Sequence, residues 1–176
     1  YSPDWVRMAK HSMVSLLPRF SAARMVSEYL KKFYLPASLQ GDQYTADHFA
    51  GAREIAAWKT RVRETWGGVH IRRIDEPRNR ADFNDVLDFK VAVRLNGLKP
   101  DDVIVELLIC RQYKKTRFNN FSHSSFAYTG VTEQDEHIFE LKLAPELCGK
   151  QEYYIRIYPN HPLLTHPLEM GMMAWV

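Results

Sequence analysis

The spacing of the apolar residues changes at the glycine pair Gly67-Gly68. Upstream of the pair, apolar side chains recur every three or four residues, which is typical of helices with one buried face. Downstream of it, apolar and polar residues alternate, which is typical of strands with one buried face. We therefore predict an α+β protein, with α-helices first and an antiparallel β-sandwich of about seven strands after them.

Three helices are predicted before the glycine pair. The first begins at Ser2-Pro3-Asp4, because Ser can cap a helix, Pro fits its first position and Asp complements the positive end of its dipole. We expect this helix to end at Pro18, and a second helix to run from the N-cap Ser21 to Pro36. Residues 37–43 are predicted to form a connector. The apolar stripe of the third helix comprises Phe49, Ala52, Ile55, Ala56, Val62 and Trp66.

Residues 69–176 are predicted to form the sandwich as a domain separate from the helical segment 1–68. Residues 87–95 alternate between apolar and polar, whereas residues 103–110 are apolar at nearly every position, as in a central strand. Residues 111–121 are predicted to be an exposed connection or a strand edge. The other expected strands are residues 70–74, 124–131, 139–143, 153–157 and 172–176.

Composition excludes several classes of protein. With 45% hydrophobic and 26% charged residues among 176, the chain resembles a globular protein of one ordinary domain or two small ones. A formal net charge of +3 is too small to indicate a nucleic-acid partner. No apolar run reaches the roughly 18 residues that span a bilayer, and the start lacks the pattern of a signal peptide. We expect no nucleic-acid partner, no membrane partner and a cytoplasmic location.

No sequence pattern predicts a catalytic, cofactor-binding or metal-ligating residue. The seven histidines show neither the helical i, i+4 pair nor the Cys/His spacing of a metal site. Cys110 ends an apolar strand and is predicted to be a buried thiol, while Cys148 lies in a turn. A basic cluster could bind phosphate, but the acidic residues interleaved with it favour a solvated face. The cluster comprises Lys59, Arg61, Arg63, Arg72, Arg73, Arg78, Arg80, Arg111, Lys114, Lys115 and Arg117.

The aromatic residues of the predicted sandwich leave one alternative open. Tyr and Phe are common in any strand, yet exposed rings on a sandwich can also stack on sugars. Only the exposure of the rings, which a sequence does not reveal, separates these interpretations. A free-standing carbohydrate-binding or protein-interaction module is therefore the alternative function. The rings concerned are Tyr113, Phe118, Phe121, Tyr128, Tyr153, Tyr154 and Tyr158.

Two stretches of the sequence match a known pattern. The first holds Trp5 and Met8, followed by Phe20-Ser21-x-x-Arg24 and Glu28-Tyr29. The second is the run Tyr158-Pro159-Asn160-His161-Pro162 near the end of the chain. Together they resemble the C-terminal region of the bacterial α-glucan phosphorylases, which belong to the glycogen/maltodextrin phosphorylase family.

The resemblance implies a parent enzyme much longer than this chain. Members of the family are pyridoxal-phosphate-dependent glycosyltransferases with two Rossmann-like domains, which use phosphate to release glucose 1-phosphate from terminal α-1,4-glucosyl units. Their Schiff-base lysine lies upstream of the matched region. The resemblance therefore implies a chain without cofactor or catalytic residues, inactive alone, whose parent binds pyridoxal phosphate, α-glucan and phosphate. Since the chain does not begin with Met, we expect it to be part of such a longer protein.

The apolar faces of the first helices are expected to pack on that parent. Residues 1–68 would belong to, or pack on, the upstream catalytic domains of the same chain. In isolation the same faces favour self-association, so a homo-oligomer formed through exposed helices is also expected. The residues expected at this interdomain surface are Trp5, Met8, Phe20, Ser21, Arg24, Met25, Glu28, Tyr29 and Phe33.

Overall fold

The computed structural model describes residues 2–78, 80–82, 85–112, 118–144 and 149–176. These residues form two compact units, the helical unit Tyr1–Arg53 and the sandwich unit Glu54–Val176. The division falls inside a long helix, whereas the expected boundary between residues 68 and 69 lies where helix gives way to strand. Cys148 and the predicted basic and aromatic residues within 113–117 lie outside the described residues.

Helices occupy the chain from Pro3 to Thr65 almost without interruption. Helix α1 spans Pro3–Phe20, α2 spans Ala22–Tyr29, a π-helical turn spans Leu30–Tyr34 and α3 spans Leu35–Thr65. The predicted N-cap of the second helix is confirmed, because the Ser21 hydroxyl accepts a hydrogen bond from the Arg24 N–H at 3.3 Å.

The predicted helix ends and the connector over 37–43 are wrong. Pro18 lies within the last turn of α1, where it removes only one late hydrogen bond. Pro36 lies in the first turn of α3, and the chain widens into the π-helical turn directly before it. Helix geometry is instead interrupted at Ala46–Phe49, where Asp47, His48 and Phe49 adopt left-handed conformations with φ of 49°, 55° and 65°.

Eight strands follow within the described residues, close to the predicted number. They are β1 His70–Arg73, β2 Leu87–Arg94, β3 Val103–Gln112, β4 Phe118–Ser125, β5 Ala127–Val131, β6 His137–Leu143, β7 Glu152–Pro159 and β8 Ala174–Trp175. The predicted strand 124–131 is two strands, since Phe126 separates β4 from β5. Part of the expected connection over 111–121 belongs to β3 and β4.

The strands pair into two antiparallel sheets of four. The first sheet has the order β1-β2-β6-β5 and the second the order β4-β3-β7-β8, so β4 and β5 lie in different sheets. The rings of Phe89 in the first sheet and Tyr153 in the second lie 5.4 Å apart between centroids. The predicted α+β class with an antiparallel sandwich is confirmed.

The core of the sandwich lies between the two sheets. Val91 and Val93 of β2 are fully buried, as the alternating pattern predicted. The second sheet contributes Leu107, Ile155 and Ile157, each with at most 1% of its surface exposed. Burying each such side chain stabilises the fold by about 1.5–3 kcal/mol.

The last turns of α3 belong to the sandwich unit. Ile55, Trp58 and Val62 are buried at the i, i+3 and i+7 positions of one helix face. The predicted stripe contained Ile55 and Val62 but missed Trp58, and it included Phe49, which is 58% exposed. The stripe starts later than predicted because the left-handed segment interrupts the helix just before it.

Candidate functional site

The residues expected at an interdomain surface all lie in the helical unit. Their apolar members are open to solvent, with Phe20 71% and Trp5 59% exposed. Neighbouring turns bring several of them together, since Arg24 pairs with Glu28 at 2.7 Å and the Tyr29 and Phe33 rings are 5.9 Å apart. No described residue from 2 to 53 is buried, so these side chains form an apolar surface without a core beneath it.

A polar cluster attaches α3 to the sandwich. The Trp58 indole N–H donates to Asp102 Oδ1 at 2.7 Å, and the Lys99 N–H donates to Asp102 Oδ2 at 2.8 Å. The Arg61 guanidinium lies 3.3 Å from the same carboxylate. Asp102 is 8% exposed, so its contacts satisfy a charge that would otherwise be costly to bury. This arrangement is that of a structural anchor.

His161 extends the anchor. Its ring lies 5.0 Å from Trp58, and its Nδ1 accepts the Leu163 N–H at 3.2 Å. That bond leaves the proton on Nε2, which faces Glu54 Oε1 at 3.4 Å. His161 therefore serves the turn after β7, with both nitrogens directed at neighbours.

A second ion pair closes the edge between the sheets. The Arg73 Nε donates to Asp75 Oδ1 at 2.9 Å, and its Nη1 donates to the Tyr153 hydroxyl. Burial acts to raise the pKa of Asp75, but hydrogen bonds from Arg73 and from the Lys90 N–H outweigh it and lower that pKa. The adjoining cavity has a volume of about 20 Å³, enough for a water molecule and too small for a substrate.

The outer face of the second sheet carries a third polar cluster. Glu106 accepts a hydrogen bond from Arg156 Nε at 2.6 Å, and His123 Nδ1 lies 3.4 Å from Glu106 Oε2. The Arg156 guanidinium lies 5.3 Å from the Tyr158 ring centroid and 5.7 Å from that of Trp175. We define this outer face by His123, Glu106, Leu108, Cys110, Tyr154, Arg156, Tyr158 and Trp175.

Exposure separates the residues of this outer face. Glu106 is 5% exposed, whereas Tyr154 is 43% and Trp175 is 53% exposed. Burial raises the pKa of Tyr158, and the nearby Glu106 raises it further, which keeps the phenol protonated. Cys110 is buried as predicted, and burial raises the pKa of its thiol, which makes the thiol unreactive near neutral pH.

Sequence reasoning missed Glu106, Arg156 and Trp175 as a group. A signal existed, since Glu106 is a lone charge inside the apolar run 103–110. A charge in a central strand requires a partner, but the partner's position depends on the pairing of β3 with β7.

Several predicted basic residues pair with acids. Arg72 pairs with Glu136, Arg73 with Asp75, Arg61 with Asp102 and Lys59 with Glu169. Within the described part of the chain, no three His, Cys, Asp or Glu residues are grouped to hold a metal ion. None of the described helices has both the length and the apolar character to cross a membrane.

Comparison with known proteins assigns the family. The sequence model of the glycogen phosphorylase C-terminal domain family matches residues 66–176. Maltodextrin phosphorylase of Thermococcus litoralis is 30% identical to the chain, and the glycogen phosphorylases of Mycobacterium bovis and Mycobacterium tuberculosis are 29% identical. Each alignment covers 97% of this chain and 20% of the relative, so the chain spans about a fifth of the length of these relatives. No solved structure matches significantly.

The family match agrees with the fold. It begins at Trp66, immediately before β1, and includes all strands of both sheets. The resemblance inferred from the sequence motifs is confirmed. Because the match extends over more than half of its residues, the chain belongs to the glycogen phosphorylase C-terminal domain family.

Proposed function

We propose that this chain is the C-terminal region of an α-glucan phosphorylase. The parent enzyme would use inorganic phosphate to cleave terminal α-1,4-glucosyl units and release glucose 1-phosphate. The observation that carries the proposal is the family match over residues 66–176. The similar proteins are named phosphorylases, and the chain aligns with only 20% of their length. The remaining length of such relatives leaves ample room for catalytic domains.

The chain itself is non-catalytic in this proposal. Pyridoxal phosphate requires a lysine held inside a cleft, but no lysine among the described residues is buried. Lys59 and Lys90 are occupied by the carboxylates of Glu169 and Glu140. The residues described here therefore do not fit the cofactor, and we assign its binding and all catalytic steps to the upstream domains of the parent.

The helical unit would provide the contact with those upstream domains. This proposal is supported by the exposure of large apolar side chains on these helices, such as Trp5, Phe20 and Phe33, which are not buried in a core of the helical unit. Large exposed apolar surfaces of this kind mark interaction sites. Through it the sandwich would be held against the catalytic domains of a cytoplasmic enzyme.

A reconstitution experiment tests this function. The purified chain, incubated with maltoheptaose and phosphate, is expected to release no glucose 1-phosphate. A parent enzyme shortened by residues 1–176 is expected to lose activity and to regain part of it when the chain is added. Release of glucose 1-phosphate by the chain alone, or full activity of the shortened parent, would contradict the proposal.

Self-association of the isolated chain is the accompanying expectation. Without the upstream domains, the exposed helices should bury their apolar faces against one another. Light scattering is expected to give a mass above that of one chain, and replacement of Phe20 and Phe33 by Ser should lower it. A monomer with little binding of an apolar dye would argue against this role of the helices.

A free-standing carbohydrate-binding or protein-interaction module remains the second candidate. The exposed aromatic rings of the second sheet favour it. The sequence of the gene upstream of Tyr1 distinguishes the two candidates, since a phosphorylase requires several hundred residues with a cofactor-binding lysine there.

A further inference from the structure

We propose that the outer face of the second sheet binds a neutral α-glucan chain. Trp175 and Tyr154 would stack against sugar rings, and the Tyr154 hydroxyl, which lies 3.5 Å from Glu152 Oε2, would exchange hydrogen bonds with sugar hydroxyl groups. The identity of the ligand as a glucan rests on the proposed function. The existence of a sugar-binding surface rests on the geometry of these side chains.

The register of the sheet places the aromatic rings around the ion pair. Glu106 is opposite Arg156, and Arg156 is opposite Trp175, so the three lie in one row across β3, β7 and β8. Tyr154 is two residues from Arg156 on β7 and points to the same side. Diagonal neighbours of this kind lie about 7–8 Å apart. Two exposed rings therefore lie beside Arg156, Tyr154 along β7 and Trp175 across from it on β8.

The Trp175 ring is already held in place before any ligand binds. Its π-face contacts the Arg156 guanidinium at 5.7 Å, and Arg156 is fixed in turn by Glu106. The backbone next to it is tied to β7, since the Val176 N–H donates to the Ile155 carbonyl at 3.0 Å. A ring that is ordered but 53% exposed loses little side-chain entropy on binding.

The chemistry of the face suits a neutral, hydroxylated ligand. Glu106 neutralises Arg156, so the pair offers no net charge to attract phosphate or nucleic acid. Only 13% of the Arg156 side chain and 7% of the Glu106 side chain are exposed, so the pair orients the Trp175 ring and leaves the hydrogen bonds of the ligand to the exposed Tyr154 hydroxyl. Sugars present C–H groups on one side and hydroxyls at their edges, which matches aromatic rings beside hydrogen-bonding groups.

A protein partner fits this face less well. A specific protein interface buries about 800 Å² on each side around an apolar centre. Among the described side chains of the four strands, the exposed large hydrophobic residues are Tyr154 and Trp175, and the centre of the face is an ion pair. Two rings with a polar centre provide enough contact for a short oligosaccharide.

Affinity electrophoresis of the full chain in glycogen gels, with fluorescence titration by maltoheptaose, tests the site. Trp175→Ala is expected to weaken binding about tenfold and Tyr154→Ala severalfold, with Trp175→Phe retaining most of it. The chain offers a matched control, since Tyr128 is 44% exposed on β5 of the other sheet. Tyr128→Ala should bind as the unchanged chain does, and thermal unfolding should show that all variants are folded.

Three results would overturn the site. The first is unchanged mobility of the chain in glycogen gels. The second is equal weakening of binding by Tyr128→Ala and Tyr154→Ala. The third is a change of molecular mass on Trp175→Ala, which would indicate a protein interface. The outcome is independent of phosphorolysis. If the parent enzyme is active but its C-terminal chain binds no glucan, only the proposed site is contradicted. If the chain binds glucan but the parent shows no phosphorolysis, the proposed function is contradicted and the site is not.

Discussion

The helical unit and the sandwich unit differ in where their apolar side chains lie. In the sandwich unit, Val62, Val91 and Leu107 are fully buried, whereas in the helical unit Val14 is 76% and Leu39 is 65% exposed. Both sequences have the apolar periodicity of their secondary structure. The periodicity of the apolar residues therefore determines which face of a helix or strand is apolar. That apolar face stabilises the protein only when another part of the structure packs against it.

The backbone shows the same difference. In the sandwich unit, left-handed conformations occur at Asn96 and Gly97, a pair that adopts them at little cost in a tight turn. In the helical unit, Phe49 adopts one next to Asp47 and His48. A bulky residue there costs about 1–3 kcal/mol, which few local contacts offset. The sandwich is therefore the more stable of the two units.

Truncation of a core leucine gives the largest expected effect. Leu107→Ala removes a side chain with no exposed surface and should lower the free energy of unfolding by about 2–5 kcal/mol, because it leaves a cavity. Leu39→Ala is the matched control, since Leu39 is 65% exposed on a helix. Urea unfolding measures both. Equal effects would contradict the comparison between the units.

Loss of the anchoring carboxylate ranks next. Asp102→Ala leaves the buried Trp58 N–H and the Lys99 N–H without their acceptor, which should cost about 2–4 kcal/mol. Asp101→Ala changes an exposed neighbour in the same turn and should cost less than about 0.5 kcal/mol. The near-ultraviolet circular dichroism of Trp58 should change only in the first variant. If stability were unaffected, α3 would not be anchored through this cluster.

The glycine pair provides a smaller and more local test. A methyl group on Gly68 would collide with the Asn96 side chain, whose Nδ2 donates to the Thr65 carbonyl at 2.7 Å. A methyl group on Gly67 would meet nothing within 4 Å. Gly68→Ala should therefore destabilise the sandwich by about 1 kcal/mol and Gly67→Ala by less. Thermal unfolding of the two variants checks this, and the melting temperature is expected to be lower for Gly68→Ala than for Gly67→Ala.

Acid should remove the contribution of the Arg73–Asp75 pair. The pKa of Asp75 is lowered in the folded state, so its contribution is present above the unfolded-state value of about 3.9 and is lost as the pH falls through the folded value. Asp75→Asn should therefore be less stable than the unchanged chain near neutral pH, and the difference should shrink below about pH 4. Urea unfolding at a series of pH values measures it. A difference that stays constant in acid would contradict this role of Asp75.

Removal of the helical unit should have the smallest effect. Deletion of residues 1–53 leaves Ile55, Trp58 and Val62 in place on the sandwich. We expect the free energy of unfolding of the sandwich to change by less than about 0.5 kcal/mol and self-association to decrease. A large loss of stability would show that the sandwich depends on these helices.

Strand positions were predicted more accurately than the breaks between elements. Alternation placed β2, β6 and β7 nearly where they lie, because each has one face against the core. The division at Phe126 was missed, since a strand that leaves one sheet for the other keeps its local pattern. Pro36 misled the prediction of the helix end, because a π-helical turn accommodates a proline that a regular helix would exclude.

The candidate site was predictable only in part. The lone charge of Glu106 was visible in the sequence, and so were the aromatic residues of β7. Their exposure was not, because Tyr153 and Tyr154 are adjacent and point to opposite sides of the sheet.

The sequence by itself determined the order of helices and sandwich, the identity of the family and the burial of the alternating residues. These follow from periodicity and local motifs, which act over a few residues of chain. Only the tertiary structure decided that Arg156 meets Glu106 and Trp175, and that Trp58 meets Asp102. The Glu106–Arg156 and Trp58–Asp102 contacts join residues more than 40 positions apart. Strand register and helix packing, which depend on the whole core, select such contacts.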